Sequence, residues 1–264
     1  AVSESVNLLG KAAGLDAKQS VDALSNAMLQ FGVDASDPAK LASESGRFIN
    51  VLAASAKVGA AEIPQVSEAI LQAGVAAKGA GLSFEETNAA IQGLAVGGKV
   101  GSEAGVALRN VIGKLIDGGK EQEGVLAKVG LSYEKLGNTL TTSAEDGGGL
   151  AAALEMLKGG LDQIKNPAER AAAAGKLFGA ENASAAGILL DQVDNIKLFT
   201  EGVTGTNEAV TQAAINQDTL SSRFEKLKAV IEVGLIKAFQ ALTPVVKFLF
   251  DNFGTIATYL SPIA

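Results

Sequence analysis

AEIPQVSEAILQAGVAAKGAGLSFEETNAAIQGLAVGGKVGSEAGVALRNVIGKLI, residues 61–116, reads as three short apolar-striped helices separated by glycine-rich turns. Its middle segment carries the strongest start signal in the chain. Ser83 is a good N-cap, and Glu86 stands three residues later, where its carboxylate can return to the backbone N–H of the cap. That box predicts a helix from about Phe84, with Phe84, Ile91, Leu94 and Ala95 on one side and Glu85, Glu86, Asn88 and Gln92 largely opposite. The preceding segment repeats the pattern with Ile63, Val66, Ile70, Leu71 and Gly74, and the following one with Val106, Leu108, Val111, Ile112 and Leu115. None of the three can bury its stripe alone, so they are expected to pack on one another or on a partner.

The regions around this centre extend the same alternation of helix and turn, and the fold class expected is all-α, with extended or loosely stacked helical hairpins. Residues 1–30 read as two helices divided near Gly14-Leu15-Asp16. Asp37 and Pro38 form a cap and first helical residue for a helix over 39–57. Thr139–Gly149, TLTTSAEDGGG, reads as a loop, because three successive glycines cost entropy and offer no side chain in return. Leu150–Ile164 is helical by period, and Asn166-Pro167-Ala168-Glu169 is a second capping box, with Asn166 as cap and Glu169 as the returning acid. Ala185–Phe199 reads as one more helix. The expected divisions are a core at 1–146, an alanine-rich helical segment at 150–206, and an amphipathic segment at 207–264.

The last segment differs in character. Leu220, Phe224, Leu227, Ile231, Leu235, Phe239, Leu242, Phe248 and Phe250 form a candidate face for a partner or a membrane surface. Glu232, Lys237, Lys247 and Asp251 interrupt it, leaving 13 uncharged residues at 252–264, whereas a bilayer core needs about 20 apolar residues. A packed or interfacial helix is therefore expected rather than a constitutive span. The basic balance from Arg223 onward leaves contact with an anionic membrane open.

Composition excludes several kinds of chemistry. The chain has no cysteine and no histidine, which removes disulfides, thiolate metal sites and the usual neutral-pH base. The formal net charge of −7 argues against a nucleic-acid partner held through phosphates. Glu85-Glu86 might be offered as an acid pair, but adjacent helical residues do not face one another. GGKVGSEAG, residues 97–105, lacks the Walker spacing and the final Gly-Lys-Ser/Thr, and reads as a helix-to-helix turn. Ser83, Ser132 and Ser143 have no histidine base, and Glu103 and Arg109 read as surface charges. No metal or cofactor is expected. The beginning, AVSESVNLLG, has neither the basic region nor the apolar core of a secretory leader. Aromatics make up 5% of residues, and alanine with 31 glycines fills the apolar positions. Such side chains bury little area each, so thin bundles completed by another chain are expected rather than a thick core.

Leu9–Ile116 resembles the core region of the tail tape measure proteins of long-tailed bacteriophages. The cues are FGVDASD at 31–37, GLSFEET at 81–87 and GSEAGVALRNVIGKL at 101–115, with Val106 where threonine is common. FEKLKAVIEVGLIKAFQALTPVVKFLF, residues 224–250, resembles the apolar segment that often follows such a core. The resemblance implies a structural, non-enzymatic component of the tail lumen that helps set tail length and leaves ahead of the genome. It implies partners among tail-tube, distal-tail or baseplate proteins and tail assembly chaperones, self-association, and contact with the host envelope after release. The alternative class is a membrane-active or pore-forming helical protein acting through its apolar end.

Overall fold

The computed structural model describes residues 2–34 and 36–216. Three helices open the chain: α1 (Val2–Ala13), α2 (Ala17–Gln30) and α3 (Pro38–Val58). Asp16 starts α2 by accepting the Gln19 N–H at 2.8 Å, while the Gln19 side chain accepts the Asp16 N–H at 3.1 Å. Gly14 and Gly32, which follow α1 and α2, adopt positive φ of 66°. This left-handed backbone ends a helix at little steric cost for glycine.

The segment from 61 to 116 forms α4 (Ile63–Gly79), α5 (Phe84–Val96) and α6 (Gly101–Ile116). Helices α4 and α6 meet through glycine. A Cβ on Gly105 would be driven into the backbone of Ala69, so only a hydrogen allows the two helices their separation. Then come α7 (Lys120–Lys128), α8 (Tyr133–Thr141), a 3₁₀ turn (Ala144–Asp146), α9 (Gly149–Leu161), α10 (Pro167–Phe178), α11 (Ala180–Asp191) and α12 (Val193–Val203). Residues 208–216 are helical. Glu208 and Ala209 at the start of this stretch are held to α3 by the Asn50 side chain, which accepts the Ala209 N–H at 3.1 Å, and by a 2.8 Å Lys57–Glu208 ion pair. The fold is all-α, a stack of helical hairpins, with no strand among the described residues.

Several sequence expectations are corrected. Helix α5 has no solvent face: Phe84–Ala95 is buried throughout, including Glu85, Glu86, Thr87, Asn88 and Gln92. Helices α3, α4, α6, α9, α11 and α12 all pack on it, so an amphipathic stripe is not what this position requires. Leu71, expected to be inward, is 43% exposed. The loop expected at 139–149 is helical as far as Thr141, because Leu136 and Leu140, one turn apart, are both buried. The single helix expected over 185–199 is two, separated at Gln192. That break lets Ile188 of α11 cover Gly97 and Ile196 of α12 cover Gly93, both at the end of α5.

The apolar stripes also find cover within the chain. Buried side chains from Leu9 to Ala213 belong to one continuous cluster, so the expectation of thin bundles completed from outside does not hold for the described residues. Alanine and glycine shorten the helix-to-helix distance, and close approach supplies the packing that larger side chains would otherwise provide. Residues 1–214 form one compact unit and 215–264 a second. The described parts of 1–146 and 150–206 thus lie in the same unit.

Candidate functional site

Helix α5 brings the polar groups of the interior together. Ser83 Oγ accepts the Glu86 N–H at 3.1 Å, and Glu86 Oε2 accepts both the Ser83 N–H and the Ser83 hydroxyl at 2.9 Å. The other oxygen of the same carboxylate accepts the Leu150 N–H at the start of α9, at 3.1 Å. Gly149, at φ 83°, allows that approach, since a Cβ there would strike Glu86 Oε1.

On the turn beside it, Glu85 is buried and receives Arg47 Nη1 from α3 at 2.5 and 2.7 Å. Arg47 also donates Nη2 to Glu44 at 2.8 Å, and its guanidinium carbon stands 4.8 Å from the Phe48 ring centroid. Further along α5, the Gln92 amide closes a pair of bonds with the backbone of Ala61, accepting from its N–H at 2.8 Å and donating to its carbonyl at 2.9 Å. These bonds leave both carboxylates and the Gln92 amide engaged in holding neighbouring elements.

Asn88 is the exception. It is fully buried, and neither its Nδ2 nor its Oδ1 has a hydrogen-bond partner among the described residues. A buried amide without partners costs stability, whereas an apolar side chain of similar shape does not. Asn88→Leu is therefore expected to stabilise the unit by about 1–3 kcal/mol, read as a higher urea midpoint at unchanged slope.

The other helix-start residues singled out from sequence each serve the helix they begin. Asp37 accepts the Ala39 and Lys40 N–H groups at 2.9 and 3.1 Å, with Pro38 the first residue of α3. Asn166 accepts the Ala168 N–H at 2.9 Å. Glu169 stands exposed in the first turn of α10, and no return bond to Asn166 closes a box there. The asparagine side chain is used two residues on, and the acid is left to favour the helix N-terminus by its charge alone. Leu220, Phe224, Leu227, Ile231, Leu235, Phe239, Leu242, Phe248 and Phe250 lie outside the described residues.

No group of three or more acidic, histidine or cysteine side chains that could hold a metal occurs among the described residues. A cleft of about 290 Å³ beside Phe31, Asp34, Lys40, Arg47 and Phe84 opens to solvent. Its Asp34 carboxyl is held below the usual carboxylate range chiefly by the Ser36 hydroxyl and N–H.

A family model described as phage-related minor tail protein matches residues 1–179, two thirds of the chain. The chain belongs to the phage-related minor tail protein family. No curated protein and no solved structure matches it.

Membership in the phage-related minor tail protein family replaces the resemblance read from sequence. That resemblance named a tape measure core over Leu9–Ile116 followed by an apolar helical segment. The match is instead to the minor tail family and continues to residue 179. No helix among the described residues is long and apolar enough to cross a membrane. A structural tail protein is the role the family indicates.

Sequence reasoning missed three features of this family member's interior. The Asp16–Gln19 box had a readable signal, an N-cap acid with glutamine three residues on. The Arg47–Glu85 pair and the Gln92–Ala61 bonds join residues 38 and 31 positions apart, and no local spacing announces them.

Proposed function

We propose that the chain is a structural component of a phage or phage-like tail, acting inside the tail without catalysis of its own and leaving it when the genome is delivered. The observation that carries this reading is the family match over residues 1–179. It falls on a unit whose buried carboxylates, Glu85 and Glu86, both hold helices together. Suitable partners are the tail-tube, distal-tail or baseplate proteins that meet it in the particle and the chaperones that keep it apart before assembly.

Its contribution to tail length belongs to the whole protein. A continuous helix of 214 residues would reach about 320 Å, whereas a compact unit of that size has a radius of gyration near ~17 Å. The folded unit is therefore a station in the tail, and axial distance must come from extended parts.

Mass spectrometry of purified tails before and after triggered genome release tests the proposal. Peptides from 1–214 are expected in assembled tails and depleted at least tenfold from emptied ones. Their absence from assembled tails would overturn the reading; equal amounts before and after would remove the release step.

A further inference from the structure

The outer face of α4 offers an interaction surface. Most large apolar side chains that reach solvent do so singly, which is ordinary for a folded protein. Leu71 and Val75 are different: they lie four residues apart within one helix and are 43% and 68% exposed. Glu68 and Lys78 are exposed on the same helix. The four positions advance by three, four and three residues, so they form one stripe along the helix. The order along that stripe is acid, aliphatic, aliphatic, base.

The spacing is symmetric about position 73. In an antiparallel pairing of two such helices, Glu68 of one copy meets Lys78 of the other while Leu71 meets Val75, and the same contacts repeat across the two-fold axis. A parallel pairing in the same register would set acid against acid and base against base. Glu68 Oε2 lies against Gly101 at the start of α6 and Lys78 borders the cleft beside Phe31 and Phe84, and neither side chain has a hydrogen bond or ion pair among the described residues. They cannot satisfy each other within one chain, because ten helical residues separate them by about 15 Å along the axis.

We infer that this face of α4 binds the same face of a second copy of the chain, antiparallel, about a two-fold axis passing near position 73. The aliphatic pairs supply the buried area, and the charges set direction and register. A single helix pair covers less than the ~1,200 Å² of a stable standard interface. The association is therefore weak in dilute solution, and strengthens where copies are held side by side.

Sedimentation equilibrium of the full chain at rising concentration tests this without any tail present, so its outcome is independent of the proposed role. Reversible dimers are expected. Val75→Glu should weaken dimerisation at least tenfold while leaving the thermal midpoint unchanged, since the side chain is mostly in solvent. Glu68→Lys and Lys78→Glu should each weaken it several-fold, and the double exchange should restore it, because both cross-pairs are then re-formed with reversed sign. The chain has no cysteine, so Leu71→Cys and Val75→Cys can be introduced on separate chains. Mixed and oxidised, they should form the 71–75 disulfide faster than either variant forms its own. A chain that stays monomeric, dimers indifferent to Val75→Glu, or a double exchange without recovery would each overturn the inference.

Discussion

Phe84→Ala is expected to lower the stability of the unit by about 3–5 kcal/mol, the range for deleting a buried aromatic ring from a packed core. Phe84 is 1% exposed and belongs to a cluster of three rings in mutual contact. It stacks on Phe48 with centroids 4.1 Å apart and meets Phe31 edge to face at 5.2 Å. Helix α3, the turn after α2 and the first residue of α5 thus share one contact. Removing the Phe84 ring leaves a hole that three elements would have to close by moving together, and Glu85 beside it is tied to Arg47. The thermal midpoint should fall by roughly 6–20 °C, at 2–4 °C per kcal/mol for a unit of this size. A loss below about 1 kcal/mol would mean that the three rings are not a joint of the fold.

Gly105→Val is expected to cost about 3 kcal/mol or more, at the upper end of what overpacking does. The atoms in the way are the carbonyl, carbonyl carbon and Cα of Ala69, which cannot rotate aside as a side chain would. Either α6 moves away from α4 or α4 bends, and both expose the apolar residues between them. A control lies in the same helix. Gly113 has nothing within 4 Å of where a Cβ would stand, so Gly113→Ala should stabilise by about 0.5–1 kcal/mol through helix propensity alone. Urea melts of both variants decide the matter. Opposite signs are expected for two glycines eight residues apart.

The helical character of the chain was legible because it is written locally. Apolar residues recur at three and four positions, glycines follow them, and Ser83 with Glu86 marks a start within four residues. What was not legible depends on distance along the chain. Glu85 looks like a surface acid until Arg47, 38 residues earlier, is placed against it. Gln92 looks solvated until the backbone of Ala61 is brought beside it. Alternation of polar and apolar residues normally marks a half-exposed helix, and α5 breaks the rule because its polar side chains, Asn88 apart, find protein partners in place of water. The abundance of alanine and glycine misled in a similar way. It suggested a deficit of buried area, whereas at Gly93, Gly97 and Gly105 the missing atoms are what allow one helix to lie directly on another. The face proposed from sequence for partners, Leu220–Phe250, lies outside the described residues, and the exposed pair on α4 is hidden in the sequence because Leu71 directly follows the fully buried Ile70.

The carboxylate of Glu86 joins segments far apart in sequence, since one oxygen closes the start of α5 and the other holds the first turn of α9, 64 positions downstream. A chain cut at the glycines 147–149 would release two fragments that each carry an open valence: an acid without its third donor on one, and a helix whose leading amide has lost its acceptor on the other. This flexible-looking stretch is thus a poor place to divide the protein, and fragments prepared there should recover native spectra only when mixed.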